Sequence, residues 1–155
     1  MALASTGLPC ALTDNSSTAR TRLGDLYGVW DPTYGHQIWR YVQNKSGSDF
    51  TQGLGVMQEN GTDLYEATLS GAATANARML GVAQHTITDG YFGFVLADGV
   101  GVIKAAAGGI TANAGQKAVA NGLFDAATIG TDEIPVHAME LAASGATARA
   151  HIRCL

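Results

Sequence analysis

LGVAQHTITDGYFGFVLADGVGVIK, Leu80 to Lys104, is the stretch whose reading decides the fold. Tyr91, Phe92, Phe94, Val95 and Leu96 make a run rich in aromatic and β-branched residues, and Val100, Val102 and Ile103 make a second. Such residues favour the half-buried pleated surface of a sheet. Asp98-Gly99 lies between the two runs, and Asp89-Gly90 separates the first from an earlier run, Leu80 to Ile87. An Asp-Gly pair between apolar runs is a hairpin signal, because a type I′ turn needs positive φ at both central residues. The stretch therefore predicts three successive strands joined by two tight turns. Nothing in it positions a nucleophile, a base or a metal, so it reads as scaffold.

Outward from this centre the same grammar recurs. On the N-terminal side, Tyr27 to Gly35 is rich in aromatics, Gly and Pro, and Asp31-Pro32 starts a turn. His36 to Val42 follows as a strand, with Ile38, Arg40 and Val42 on one face and Gln37, Trp39 and Tyr41 on the other. Neither face is purely apolar, which predicts an edge strand or one that meets a neighbouring subunit. Asn44 to Ser48 is a loop, and Leu54 to Glu59 is a strand closed by an Asn60-Gly61 turn. Leu64 to Leu69 is a further candidate strand, and Ser70 to Asn76 a loop or a single helical turn.

On the C-terminal side, Ala114-Gly115 and Asn121-Gly122 bracket a short strand. Ile134 to Leu141 is a strand in which Pro135 marks the beginning or an edge. Ala148 to Cys154 alternates, with Ala148, Ala150, Ile152 and Cys154 facing in and Arg149, His151 and Arg153 facing out. Short strands punctuated by Gly-containing turns predict an all-β domain, a compact barrel or sandwich of mostly antiparallel strands.

The first residues differ. Residues 1–26 carry no sustained period and read as an extended N-terminal arm, with 27–155 as the β-rich body. Leu3, Leu8, Leu12 and Leu23 give the arm scattered apolar anchors that a pure spacer does not need, so they are candidate contacts to a neighbour. Trp30, Trp39 and Tyr41 join them as candidate interface anchors, because aromatic residues concentrate binding energy at interface centres. The same three residues fit a core equally well.

Composition bounds the function. With 155 residues the chain is long enough for one domain with a real core. Only 14% of its residues are charged, against roughly 25% in an average domain. A weakly charged surface suits a chain that covers part of itself with partners. The net charge of −4 lacks the basic footprint expected for nucleic acid. No apolar run reaches the length of a membrane-spanning helix, and no charged-then-apolar leader opens the chain, so neither a membrane nor a secretory leader is expected. Cys10 and Cys154 stand near opposite ends, as free thiols or as partners of an interchain bond.

The chemical readings are thin. His36, His85, His137 and His151 form no metal-binding motif, so no metal or other cofactor is expected. His85 and Asp89 with a remote serine make a triad only on paper, because no G-x-S-x-G elbow accompanies them. Gly99-Val100-Gly101 and Gly108-Gly109 lack the following helix and the Lys-Ser/Thr ending that a phosphate loop requires. No catalytic residue is nominated, and no enzymatic activity is expected.

YGHQIWRYVQNKSG (34–47), TQGLGVMQ (51–58), the central stretch, ITANAGQKAVANG (110–122) and the closing ARAHIRCL (148–155) together resemble the capsid decoration, or cement, proteins of tailed bacteriophages. The resemblance lies in the order of turn signals and small residues, with no chemical signature. It implies a β-rich body, a homotrimer, and a place on the outer surface of an icosahedral shell. Its partners would be the major capsid protein and further copies of itself, with synthesis in the bacterial cytoplasm. Its role would be to tie coat subunits together. The alternative is a head-fibre or receptor-binding or glycan-binding display module of a virion. A small β-barrel enzyme is the third reading.

Overall fold

The computed structural model describes residues 7–59, 64–71, 79–130, 132 and 134–155. Ten strands account for the fold: β1 (Leu26–Asp31), β2 (Gly35–Asn44), β3 (Gly55–Gln58), β4 (Glu66–Leu69), β5 (Met79–Ala83), β6 (Phe92–Lys104), β7 (Gly115–Ala118), β8 (Phe124–Ala126), β9 (Val136–Ala138) and β10 (Thr147–Arg153). Among the described residues there is no α-helix, only a 3-10 turn at Ala120–Gly122. The all-β expectation holds. Leu3, the Asn60-Gly61 turn and most of the Ser70–Asn76 segment lie outside the described residues.

Pairing order explains the two cores. The strands run β1-β2-β4-β3-β5-β6-β10-β9-β7-β8, and β2 pairs a second time, with β6. That extra pairing closes β2, β4, β3, β5 and β6 into a ring, antiparallel throughout except for β2 beside β4. One set of side chains forms a sealed apolar cluster: Val42, Val56, Ala67, Leu80, Ala83 and Val95, with Phe50 and Ile87 from the flanking loops; on β5 an irregularity in the pairing with β3 lets both Leu80 and Ala83 enter it. The other set, including Trp39, Tyr41, Phe94 and Leu96, joins a larger cluster with Ile103, Phe124, Val136 and Ile152. This alternation is the period-two pattern of a strand buried on both faces. The remaining strands nearly close as well, because Ala105, directly after β6, makes a parallel bridge to Phe124 of β8. Each fully buried Val, Leu, Ile or Phe contributes about 1.5–3 kcal/mol.

The expected hairpin at Asp98-Gly99 is not there. β6 runs unbroken through both residues. Up to Asp98 it pairs with β2 and β5, and from Asp98 onward with β10, where Gly99 faces Ile152. Gly99 has φ +117, and a Cβ there would sit 2.8 Å from the His36 carbonyl oxygen. The register of β2 slips beside it, between Ile38 and Trp39. The pair thus supplies positive φ for a bend instead of a reversal, and long-range pairing with β10 decides between the two. Asp89-Gly90 does form a turn, closed by Tyr91 N–H to Thr88 O at 2.9 Å. The strand before it is shorter than predicted, since β5 ends at Ala83 and Ile87 survives only in a bridge to Phe50.

β2 is also corrected. It is an interior strand, with β1 on one side and β6 on the other. Its mixed faces arise because its polar residues are satisfied inside. The buried Arg40 Nη1 donates to Leu80 O at 2.8 Å and Cys154 O at 3.2 Å, and its guanidinium lies 5.8 Å from the centre of the Tyr65 ring. Gln37 donates to Val100 O and accepts from the Trp39 indole. Further on, β7 is followed by the turn at Asn121-Gly122 and β10 alternates with Ala148, Ala150 and Ile152 buried, as expected, but the strand expected over Ile134 to Leu141 shrinks to β9, Val136–Ala138, and β8 was not foreseen.

Residues 7–25 lie against these strands. Leu12 is buried in the larger cluster, and Leu8 and Leu23 pack on its margin. The Asn15 side chain exchanges two hydrogen bonds with Thr88, and Ser16 bridges Phe92. Beside Leu12, His85 Nδ1 is 3.0 Å from Thr86 O and Nε2 is 3.2 Å from Phe94 O. Burial lowers the His85 pKa below its ordinary value of 6.5, although both carbonyls and Asp14 favour the charged ring.

Three outcomes follow. Asn suits a type I′ turn, so a hairpin would tolerate Gly99→Asn, whereas the observed bend meets a clashing Cβ. Chemical denaturation of that variant should show a loss of about 2–4 kcal/mol. Arg40→Leu leaves two carbonyls without their shared donor, and the same measurement should show a loss of about 2 kcal/mol. His85 binds its proton more weakly folded than unfolded, so stability is complete above pH 6.5 and declines as pH falls below it. Stability followed from pH 8 to pH 5 should show that decline, and His85→Gln should flatten it.

Candidate interaction surface

Among the described residues, no group of three or more His, Cys, Asp or Glu side chains could hold a metal ion. His85 contacts backbone carbonyls, and its interactions are those of a packing residue. The thiols are free and poorly ionisable: burial, reinforced by Asp14, pushes Cys10 up to about 11, and burial pushes Cys154 up to about 12. A nucleophilic cysteine needs the opposite shift. The buried position of Cys154 places it out of reach of a second chain while the fold is intact.

The candidate contact residues divide sharply. Leu12, Trp39 and Tyr41 are buried in this chain's own core, and Leu8 and Leu23 are half-buried against it. Tyr41 is held by ring contacts to Phe94 at 4.9 Å and Phe92 at 6.3 Å, and its hydroxyl accepts from the Arg20 N–H. Leu3 lies outside the described residues. Among the described residues of the set, Trp30 alone is largely exposed, at 65%. The structure therefore does not bring the seven together on one face.

What surrounds Trp30 was not legible beforehand. Tyr27 to Asp31 belongs to β1, a strand that the Gly and Pro content obscured. Its signal was the alternation of Tyr27 and Val29, facing inward, with Leu26, Gly28 and Trp30, facing out. Tyr27 meets Phe94 edge-on at 5.6 Å and Val29 is buried, which pins the strand. On the outer face, Leu26 is 49% exposed and the ring of His36 lies over Gly28, 3.2 Å from where a Cβ would be. β1 pairs with β2 in unbroken register over Leu26–Asp31 and, among the described residues, has no strand on its other side.

A second exposed region lies at the far end of the sheet. Ile134, Met139 and Leu141 are exposed around β9, and His137 faces His151 across the β9–β10 ladder. The outward face of β10 is as expected, but Arg149 is occupied. Its side chain and backbone N–H both bond the Glu140 carboxylate, which hydrogen bonding from Arg149 holds below its ordinary pKa.

No family model matches this sequence, and no curated protein matches it. Among solved structures, the chain is similar to the N base of the head fibre gp8.5 of bacteriophage phi29. The two superpose with a TM-score of 0.54 at 14% sequence identity, over 74% of this chain and 93% of that one. At that identity the likeness is one of fold.

Proposed function

We propose that this chain is a structural protein of a phage virion, the base of a head fibre or of a related projection seated on the outer surface of the capsid. The observation that carries the reading is the shared fold with the phi29 head-fibre base, which extends over nearly all of that base. The rest of the molecule agrees in kind. Its buried Arg40 and Asn44 donate to backbone carbonyls, and burial disfavours ionisation of both thiols. Its low charge suits a surface partly covered in an assembly. The partners in this reading are the major capsid protein and further copies of the chain, as a homotrimer, with neither nucleic acid nor membrane engaged and no catalysis performed.

A cement role is the second reading, favoured by the order of turns and small residues that resembles decoration proteins. The two differ in what the shell gains. A protein that binds only the mature shell stabilises it by its binding free energy at every occupied site. A fibre base needs only to stay attached.

Purified particles from the lysate that encodes the chain decide between them. The chain should co-purify with heads at a simple ratio to coat subunits. Heads stripped of it should keep their resistance to heat and dilution if it is a fibre base. They should lose that resistance, and regain it on adding the chain back, if it is a cement. Absence of the chain from purified particles would overturn both.

A further inference from the structure

β1 is the one full-length strand edge that the described residues leave open. The other strands have neighbours on both sides for at least part of their length; the second half of β6, paired only with β10, is met on its other side by Gln37, Gln84 and the Gly53 carbonyl, and β8, last in the order, is capped by Ala105 and by the Ala106 N–H to Phe124 O bond. An open edge presents a row of unpaired N–H and C=O groups, and proteins blunt such edges with Lys, Pro, bulges or cover. β1 has none of these within it. Its sequence is LYGVWD, its register with β2 is unbroken, and Pro32 lies beyond it in the turn. It adds an exposed tryptophan and leucine on one face, the kind of anchor that dominates interfaces.

Charge narrows the occupant. β1 contains no basic residue and is bracketed by Asp25 and Asp31. One oxygen of each carboxylate is used locally, Asp25 Oδ2 by Thr21 and Asp31 Oδ1 by the Thr33 and Tyr34 N–H groups. Neither aspartate has an ion-pair partner among the described residues. A second copy of β1 fits badly. The antiparallel register that matches Leu26 to Trp30 across the pair also sets Asp25 of each copy against Asp31 of the other, and like charges directly opposite are destabilising. Parallel pairing in register stacks each aspartate on itself.

We propose that the β1 edge accepts an extended strand from a different protein, apolar on the side of Leu26 and Trp30 and basic opposite Asp25 or Asp31. Main-chain hydrogen bonds supply the affinity in such strand addition, and alternate side chains supply the choice of partner. The inference concerns this edge alone and does not depend on the virion reading.

The test uses the full chain, labelled for NMR, and two capped synthetic peptides with the same alternating Val-Thr core. One ends in Lys at both termini and the other in Glu. The Lys-ended peptide should shift and slow the exchange of the residue 26–31 amides, and the Glu-ended peptide should bind about tenfold more weakly. Trp30→Lys, at an exposed position, should keep the remaining spectrum and weaken the Lys-ended peptide by a similar factor. Absence of binding at millimolar peptide, changes confined to other strands, or equal affinity for the two peptides would overturn the proposal. So would self-association of the chain that Trp30→Lys disperses, because the edge would then belong to a second copy.

Discussion

One strand shared by a closed circuit of pairing and a nearly closed one is the constraint on which this fold depends. β6 completes the first ring through β2 and β5, then carries the second set of strands through β10. Neither core could be sealed without it, because the larger cluster takes Phe94 and Leu96 from its first half and Ile103 from its second. The exchange of partners happens within two residues, at Asp98 and Gly99, where the chain must approach the His36 carbonyl more closely than a side chain allows. A glycine at that point weakens the strand locally. The weakness is offset by pairing on both sides, since Asp98 is matched to Ile38 in one direction and Arg153 in the other.

The same constraint explains which parts of the molecule could be read from sequence. Alternation decides the strands whose faces are unambiguous, and β10 is the clearest, its alanines inward and its arginines outward. It fails at β2, where Arg40 and Gln37 sit on buried faces because distant carbonyls, Leu80, Cys154 and Val100, are waiting for them. Those partners lie 40 to 114 residues away, so no local pattern records them. Asp98-Gly99 fails for a related reason. Positive φ is a local property that glycine announces, but whether it turns a chain back or bends it onward is settled by β10, more than 40 residues later.

The candidate contacts divide along the same line. Aromatic residues in a weakly charged chain suit a core and an interface alike, and Trp39 and Tyr41 went to the core because β2 is covered on both faces. Trp30 stayed outside because β1 is covered on only one. Leu12 shows how far an aperiodic segment can be committed to its own body. It enters the larger cluster, and Asn15 and Ser16 fasten the following residues to Thr88 and Phe92. Gly93 makes room for that passage, since a Cβ there would lie 2.9 Å from the Asp14 carbonyl. Absence of a period therefore reports absence of a strand face and says nothing of whether the residues are packed.

A fold held by pairing order and by small residues at crossings leaves most side-chain identities free, which is why it is recognisable at 14% identity. What such a fold leaves for function is its surface and its edges. Here the edges are nearly all used internally, by two circuits that share β6 and by the bridge from Ala105. The outward side of β10 is partly spent as well, with Arg149 tied to Glu140. The open backbone of β1, its exposed tryptophan and the two carboxylates around it are thus left as the part of the described surface where hydrogen bonding, apolar area and charge coincide.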